Sequence, residues 1–468
     1  MILLDEDRLF PTEGRGRELA RALFDSVRDL PIISPHGHTD PRWLAGNERF
    51  GNPADLFVTP DHYVFRMLYS QGIRLEDLGI ETLAGEKSAT DPREVWRLFA
   101  AHYHVFRGTP SRLWIDHSLQ EVFGVEKGLS AETADEIYEQ ISDCLGRPEF
   151  LPRALFDRFN IEVIATTESP LDTLDHHARV AASDWGGRMI STYRPDAVMD
   201  PENPDFLNNL KVFSEITGED ALSWDGYLKA HRKRRLRFKA YGATATDHGH
   251  PTARTENLSQ QAARELFNAV LRDPTDAGNA EMFRAQMLTE MARMSLDDGL
   301  VMQIHAGSRR NHSSAIHRRF GADKGFDIPG RTDFVTALGP LLDVVGHEPD
   351  MTVILFTLDE SSYGRELAPL AGVYPALKLG PAWWFFDSAD GMRRFREMTT
   401  ETAGFYNTVG FNDDTRAFCS IPARHDVARR VDCAFLASLV TSGRLGETDA
   451  FEVVQDLTYH LAKKAYRL

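Results

Sequence analysis

The stretch Leu30-Pro-Ile-Ile-Ser34, followed at once by Pro35-His36-Gly37-His38, combines a short apolar run with two closely spaced histidines. A short apolar run that ends at a turn is typical of a strand buried on both faces. Two histidines at positions i and i+2 of an extended segment point to the same side, where both imidazoles can bind one metal ion. The stretch therefore predicts a buried strand with two candidate metal ligands at its carboxyl end.

The same pattern, an apolar run that leads into polar residues, recurs further along the chain. The further runs are residues 161–165, 188–191, 236–240, 300–304, 351–356, 374–379 and 405–409. Helical patterns lie between most of them. Repeated alternation of this kind predicts an α/β fold, a (β/α)₈ barrel of the TIM type, formed by a single domain over residues 1–468. The alternative, an open doubly wound sheet, usually has a glycine-rich phosphate loop after an early strand, and the sequence contains none.

The spacing of the first two predicted strands is unusual. One ends at residue 34 and the next begins at residue 161, an interval far too long for a single loop. Residues 40–150 contain helical patterns, which are found at 61–71, 91–104 and 130–145. We therefore expect a helical insertion after strand 1, placed where it can cover the site.

Composition restricts the class of protein. The formal net charge is −17, and an acidic surface repels phosphate backbones, so nucleic acid is not an expected partner. The three cysteines form no Cys-x-x-Cys pair, which is typical of a reducing compartment. The amino terminus lacks the pattern of a signal peptide, and no apolar run is long enough to cross a membrane. These observations predict a cytoplasmic protein without a membrane partner.

Position along the predicted strands selects the candidate metal ligands. His36 and His38 follow the first strand, His305 follows the fifth and Asp414 follows the eighth. The carboxyl ends of barrel strands share one face, so these side chains are expected to meet. Three imidazoles and a carboxylate suit one divalent metal ion, with Zn²⁺ favoured and Mn²⁺ or Fe²⁺ as alternatives. The other interpretation, buried polar residues without a metal, stays open.

Arginines form the second candidate set. Arg194 follows the third predicted strand, Arg310 the fifth and Arg416 the eighth. Because a guanidinium binds a carboxylate in a bidentate fork, arginines at strand ends of an acidic protein indicate a site for an anionic substrate. The alternative is pairing with nearby acids, which for Arg194 would be Asp196. Trp384 lies in an aromatic cluster that suits either the wall of a sugar site or the core.

Several long strings resemble the uronate isomerase family of the amidohydrolase superfamily, in the order in which that family has them. They include Asp61-His-Tyr-Val-Phe-Arg-Met-Leu-Tyr-Ser-Gln-Gly72, Tyr193-Arg-Pro-Asp196, Gln303-Ile-His-Ala-Gly307 and Asp414-Thr-Arg416. The resemblance implies that His62 and Tyr63 form an active-site pair. It also implies metal-ligand, substrate-binding and pocket roles for the residues already named, which are His36, His38, His305, Asp414, Arg194, Arg416 and Trp384. Asp413, next to Asp414, leaves the choice of carboxylate open.

The resemblance also implies an activity and a substrate. The expected reaction interconverts D-glucuronate with D-fructuronate, and D-galacturonate with D-tagaturonate, by proton transfer through an enediol. Asp414, or a water that the metal holds beside it, would act as the base, with His62 and Tyr63 at the reacting oxygens. Self-association into a homo-oligomer is also expected. Two alternatives remain, a metal-dependent hydrolase or deaminase of the same superfamily and a sugar-acid-binding protein without catalysis.

Overall fold

The computed structural model describes residues 4–85 and 91–468. The first residues of the predicted single domain, 1–3, and a short piece of the predicted insertion, 86–90, lie outside the described residues. Within the described part, no helix is long and apolar enough to cross a membrane.

The barrel is built on one parallel sheet. The strands of the described chain are β1 (Ile32–Ser34), β2 (Ile161–Glu168), β3 (Arg188–Tyr193), β4 (Ala245–His248), β5 (Val301–Ala306), β6 (Ser308–Arg309), β7 (Ile328–Pro329), β8 (Val353–Thr357) and β9 (Leu377–Leu379). Seven of them pair in the order β1-β2-β3-β4-β5-β8-β9, and β6 pairs with β7 in a separate antiparallel ribbon. Parallel strands that neighbour each other in chain order, with helices between them, form the predicted (β/α)₈ barrel of the TIM type, so the predicted fold class is confirmed.

The central strands are buried on both faces, as a barrel requires. Every residue of β5 and of β8 is buried. Helices cover the outer face and side chains fill the inner one, so apolar residues occupy both sides of these strands. This burial explains why continuous apolar runs, rather than alternating ones, predicted them.

The fourth predicted strand was wrong, because residues 236–239 end a helix that extends over Trp224–Lys239, and Ala240 caps its carboxyl end. Ser223 caps its amino terminus by accepting a hydrogen bond from the Gly226 amide. Leu236 and Phe238 alternate with basic residues and so imitate a strand, yet Phe238 is buried while Leu236 is 61% exposed. The strand of the barrel is β4, which begins several residues later.

The eighth predicted strand, residues 405–409, was also wrong as a strand. Its position in the barrel is marked by one isolated parallel bridge between Leu379 and Thr408. The amide and the hydroxyl of Thr408 both donate to the carbonyl of Phe405, at 3.0 and 2.7 Å. The carbonyl of Asn407 and the amide of Val409 still pair with Leu379, at 2.8 and 3.0 Å, and these two bonds make up the single bridge.

Helices make up most of the remaining structure. In chain order they are α1 (Gly14–Val27), α2 (Pro41–Gly46), α3 (Pro53–Phe57), α4 (His62–Ser70), α5 (Pro92–Ala101), α6 (Pro110–His117), α7 (Ala134–Leu145), α8 (Pro152–Arg158), α9 (Asp175–Ala181), α10 (Asp196–Met199), α11 (Phe206–Thr217), α12 (Trp224–Lys239), α13 (Gln260–Arg272), α14 (Ala277–Asp298), α15 (Ser314–Phe320), α16 (Phe334–Val345), α17 (Ala368–Val373), α18 (Ala389–Ala403), α19 (Ile421–Thr441), α20 (Glu447–Gln455) and α21 (Leu461–Tyr466).

The segment between β1 and β2 is helical, as predicted. The three helices expected there are α4, α5 and α7. Helix α5 begins with Asp91 as its cap and a proline in its first turn, which is a common start signal. It buries Trp96 and Phe99 in an apolar cluster that also contains Ile32 of β1 and Ile161 of β2. The insertion therefore packs against the first two barrel strands.

Candidate functional site

A cavity of about 980 Å³ opens at the carboxyl ends of the barrel strands. All of the site residues predicted from the sequence line it, and they are His36, His38, His62, Tyr63, Arg194, His305, Arg310, Trp384, Asp414 and Arg416. The barrel strand ends, the insertion and the segment after β5 all contribute to the wall. The fold therefore collects residues that are far apart in the sequence at the face where barrels place their chemistry.

Imidazoles and carboxylates converge on one side of this cavity. Ligand atoms of His36, His305 and Asp414 lie within 4.8 Å of one another, and so do those of His36, His38 and Asp247. The Nε2 atoms of His36 and His38 lie 3.5 and 3.3 Å from the same Oδ1 atom of Asp414. This arrangement offers nitrogen and oxygen ligands to one small volume.

His305 carries the clearest sign of a site that fits a metal ion. Its Nδ1 atom lies 2.6 Å from Oδ1 of Asp247, so the carboxylate fixes the ring and its tautomer. Its Nε2 atom is buried and has no hydrogen-bond partner among the described residues. A histidine whose second nitrogen donates to a carboxylate is the usual ligand arrangement in metal sites. The residues present therefore fit a divalent metal ion.

Asp414, rather than Asp413, faces these imidazoles. Oδ2 of Asp413 lies 3.1 Å from Nε2 of buried His425, although Asp413 also lines the cavity and its Oδ1 has no hydrogen-bond partner among the described residues. Asp414 has a φ of +37°, in the left-handed region that L residues seldom adopt, so the loop holds it in a costly conformation. Burial raises the pKa of the Asp414 carboxyl, but His36 and His38 outweigh burial, so the pKa lies below its usual value.

The insertion supplies His62 and Tyr63 from the first turn of α4. Asp61 caps this helix, and its side chain accepts a hydrogen bond of 2.8 Å from the Tyr63 amide. Burial, with Arg416 next in effect, lowers the pKa of His62 to about 3, so its imidazole is neutral at pH 7. Burial, with Asp387 next in effect, raises the pKa of Tyr63 well above its usual value, so the phenol keeps its proton.

The three predicted arginines line the cavity but differ in their present partners. Arg194 donates to Asp196 at 2.8 Å and to Asp247 at 2.9 Å, so the local pairing considered from the sequence does occur. Arg310 pairs with Asp327 at 3.1 Å. The side chain of Arg416 is 43% exposed, and its one ion pair with a described residue is a 3.8 Å contact to Asp323. Arg416 is thus the least committed of the three.

Trp384 belongs to the wall of the cavity and not to the core alone. Its ring meets that of His62 edge to face, with 5.0 Å between the centroids, and stacks on Phe385 at 4.7 Å. Phe385 has a positive φ of 72°, so the turn there is also strained. The aromatic surface beside His62 suits the apolar face of a sugar ring.

Three polar residues of the site were missed by the sequence interpretation. Asp247 directly precedes His248 at the end of a strand, which was a usable signal, but the strand itself was misplaced. Asp387 lies in the segment between β9 and α18, and Arg424 lies in the first turn of α19; both line the cavity. Nothing local in the sequence distinguishes these two, because their contacts come from distant segments.

Comparison with known proteins identifies the family. Residues 13–466 match the sequence profile of the glucuronate isomerase family. A uronate isomerase of Mesorhizobium japonicum is 66% identical over 468 residues, which is all of both chains. One of Rhizobium meliloti is 64% identical over all of this chain and 99% of its own.

A solved structure agrees. The crystal structure of glucuronate isomerase from Caulobacter crescentus superposes with a TM-score of 0.98 and 57% identity, over 99% of this chain and 97% of that one. Similarity in sequence and similarity in structure therefore cover practically the whole chain and point to one group of proteins. The chain belongs to the glucuronate isomerase family.

Proposed function

We propose that this protein is an enzyme that isomerises hexuronates, interconverting D-glucuronate with D-fructuronate and D-galacturonate with D-tagaturonate. The observation that carries the proposal is the 66% identity to a uronate isomerase over the full length of both chains. The cavity supports it independently, because it combines potential metal ligands, arginines for a carboxylate and an aromatic wall for a sugar ring. The alternatives, a hydrolase or deaminase and a binding protein without catalysis, receive no support from the comparisons.

His36, His38, His305 and Asp414 are the residues that we propose as ligands of one divalent metal ion. The buried, unpartnered Nε2 atom of His305 and the carboxylate of Asp247 behind that ring support this assignment. Zn²⁺ is the ion that we favour, ahead of Mn²⁺ and Fe²⁺, because the donor set mixes imidazole with carboxylate. When bound, such an ion would polarise and orient the oxygen atoms of the substrate.

Asp414 is the residue that we propose as the base. In the open-chain aldose, the C2 proton is a weak acid, so its removal needs a base placed beside it and support for the enediolate that forms. Burial raises the pKa of the Asp414 carboxyl, but His36 and His38 lower it more, so the carboxyl is ionised and has lone pairs for the C2 proton, while the same lowering of the pKa makes it a weaker base. The same proton, or one exchanged with solvent, then goes to C1, which completes the change from aldose to ketose.

His62 and Tyr63 lie where they can contact the oxygens on C1 and C2 in this proposal. The neutral His62 ring can donate one hydrogen bond and accept another, which suits a site where a carbonyl and a hydroxyl exchange places. Tyr63 supplies a hydroxyl that can both accept and donate. Trp384 beside His62 would pack on the sugar and exclude water.

Arg416, Arg310 and Arg194 are the proposed contacts for the anionic substrate. Arg416 has the most exposed side chain of the three and lacks the closer ion pair that Arg194 and Arg310 each have, so a substrate carboxylate displaces little there. In Arg194, the Nε and Nη1 atoms are engaged by Asp196 and Asp247, so Nη2 is the nitrogen that we assign to substrate. Arg194 would then contact both the substrate and Asp247, the carboxylate that holds the ring of His305.

Three broader expectations accompany this assignment. The chain would form a single domain over residues 1–468 with residues 40–150 as an insertion, would work in the cytoplasm and would self-associate. The residues of the insertion that line the cavity, His62 and Tyr63, support the first of these.

The test is an assay of the metal-loaded protein with D-glucuronate and D-galacturonate, beside a panel of amides and nucleosides. We expect a ketose from the uronates and no release of ammonia or amine from the panel. Turnover of any panel member in preference to both uronates would reject the isomerase assignment in favour of the hydrolase or deaminase.

A further inference from the structure

The hydroxyl of Tyr63 is fixed by a carboxylate that the sequence did not single out. Its oxygen lies 2.9 Å from Oδ1 and 3.0 Å from Oδ2 of Asp387. An ionised carboxylate only accepts hydrogen bonds, so the hydroxyl must be the donor. The proton of Tyr63 is therefore held toward Asp387, and the lone pairs of its oxygen remain for another partner.

The carboxylate is in turn held by a buried cation. Nη1 of Arg424 lies 2.8 Å from Oδ2 of Asp387, and the side chains of both residues are largely buried. The guanidinium of Arg424 also stacks over the ring of Trp114, 3.7 Å from its centroid. Because Arg424 neutralises the carboxylate and is fixed by an aromatic ring, Asp387 has little freedom to turn away from Tyr63.

Tyr63 and Asp387 both line the cavity, so this pair lies beside the space for substrate. We propose that Asp387, held by Arg424, is a positioning residue that makes the Tyr63 hydroxyl a hydrogen-bond acceptor toward a hydroxyl of the substrate. When the substrate hydroxyl gives its proton to Tyr63, Asp387 receives the proton that Tyr63 held before. This proposal rests on the isomerase function proposed above.

The proton transfer balances without any further reactant. Removal of the C2 hydrogen leaves an enediolate whose negative charge is on the C1 oxygen. As C1 then receives a hydrogen and the C2 hydroxyl becomes a carbonyl, the hydroxyl proton passes to the Tyr63 oxygen, and the Tyr63 proton passes to Asp387. When the oxygen on C1 needs a proton, Tyr63 gives up the one it received and regains its own from Asp387. Over one turnover both residues return to their starting states, and nothing is oxidised or reduced.

A double-mutant cycle tests whether Asp387 acts through Tyr63. In the metal-loaded enzyme with glucuronate as substrate, we expect Asp387→Asn and Tyr63→Phe each to lower kcat by about 100-fold, the scale of one positioned acid–base group. KM should change by less than about three-fold, because the lost interaction acts on the chemical step. In the Tyr63→Phe background, Asp387→Asn should lower kcat by less than roughly three-fold, because the residue through which it acts is already absent.

The chain contains a matched control for this cycle. Asp116 accepts a hydrogen bond of 2.9 Å from the Tyr103 hydroxyl and pairs with Arg112 at 2.6 Å. None of these three is among the described residues that line the cavity. Asp116→Asn should therefore lower the thermal stability while kcat stays within about two-fold of the wild type.

Two further variants keep the test valid if Asp387→Asn folds poorly with Arg424 left unpaired. Asp387→Glu retains the carboxylate and should recover part of kcat. Asp387→Asn with Arg424→Gln removes both charges and should fold, with kcat as low as in Asp387→Asn. Melting temperature and metal content are measured for every variant.

The outcomes separate this proposal from the one on which it rests. Losses from Asp387→Asn and Tyr63→Phe that multiply in the double variant would overturn the role of Asp387, and so would an unchanged kcat in Asp387→Asn. A wild type that turns over no uronate would overturn the proposed function and this inference together.

Discussion

The chain contains two groups of tyrosine, aspartate and arginine with nearly the same local geometry. In the insertion, Tyr103 donates to Asp116, which pairs with Arg112, and the guanidinium lies 4.0 Å from the tyrosine ring centroid. At the barrel mouth, Tyr63 donates to Asp387, which pairs with a guanidinium 5.7 Å from the ring. The two groups differ in what surrounds them.

The insertion group is local, and the barrel-mouth group is not. The hydrogen bond in the insertion joins residues 13 positions apart, whereas that at the mouth joins residues 324 apart. The first stabilises neighbouring helical segments. The second joins a helix of the insertion to the loop between β9 and α18, at the cavity that His36, His38, His305 and Asp414 also line. The same combination of tyrosine, aspartate and arginine therefore occurs both away from the cavity and beside it, and only its position at the barrel mouth gives it access to substrate.

The largest effect should come from removing proposed metal ligands from the cavity that the barrel-mouth group also lines. The double substitution His36→Ala/His38→Ala should abolish metal binding and reduce turnover to background, because two of four proposed ligands are lost. Metal content by mass spectrometry and a ketose assay check this. The matched control is His102→Ala/His104→Ala, a second histidine pair with the same spacing, in the insertion. Full metal content in the first variant would remove the proposed ligand set.

Next in size is the loss of the proposed base. Asp414→Asn should lower kcat by about 10²–10⁴-fold, because an amide cannot accept the C2 proton. Binding of glucuronate, measured by calorimetry, should survive in part through the arginines. An unchanged kcat in a variant that has kept its fold would contradict the mechanism.

The two tyrosines give the most direct contrast between the regions. Tyr63→Phe should lower kcat by about 100-fold. Tyr103→Phe should leave kcat within roughly two-fold and cost about 1–3 kcal/mol of stability, since Asp116 loses a donor in a buried place. Steady-state kinetics and denaturant unfolding measure both. Equal losses of kcat in the two variants would mean that position at the barrel mouth is not what separates them.

A smaller effect is expected at Arg416, which has the most exposed side chain of the three cavity arginines. Arg416→Lys should weaken transition-state binding by about 1.5–3 kcal/mol, because an ammonium group cannot replace a bidentate fork. The change should appear in kcat/KM for glucuronate. Arg112→Lys in the insertion is the matched substitution and should leave kcat/KM unaltered. If glucose were converted as well as glucuronate, the role of the arginines would be refuted.

Much of the fold was predictable because buried parallel strands have a strong signal. The runs that became β2, β3, β5 and β8 are rich in apolar residues and mostly buried, and their polar ends marked the site. The run at 236–240 misled because the alternation of Leu236 and Phe238 is also compatible with a helix that buries only one of them. Short alternating segments do not distinguish a strand from a helix without their packing.

The site was predictable where it follows strand ends and unpredictable where distant segments complete it. His36 and His305 lie at or just after a barrel strand, and Asp414 follows the bridge at Thr408 that takes the place of the last strand, so topology brings the three together. Asp387 and Arg424 come from a loop and a helix, and their roles depend on contacts with Tyr63 that no local pattern encodes. The same holds for the support that Asp247 gives to His305.

Isomerisation through an enediol is tested most directly by identifying the product that the metal-loaded enzyme forms from D-glucuronate. Proton transfer through an enediol predicts one ketose of the same mass in ordinary water, and in D₂O any deuterium gained should be located at C1 of that ketose. Mass spectrometry and NMR of the product distinguish this from cleavage. Two products, or deuterium confined to a carbon other than C1, would contradict the isomerase account.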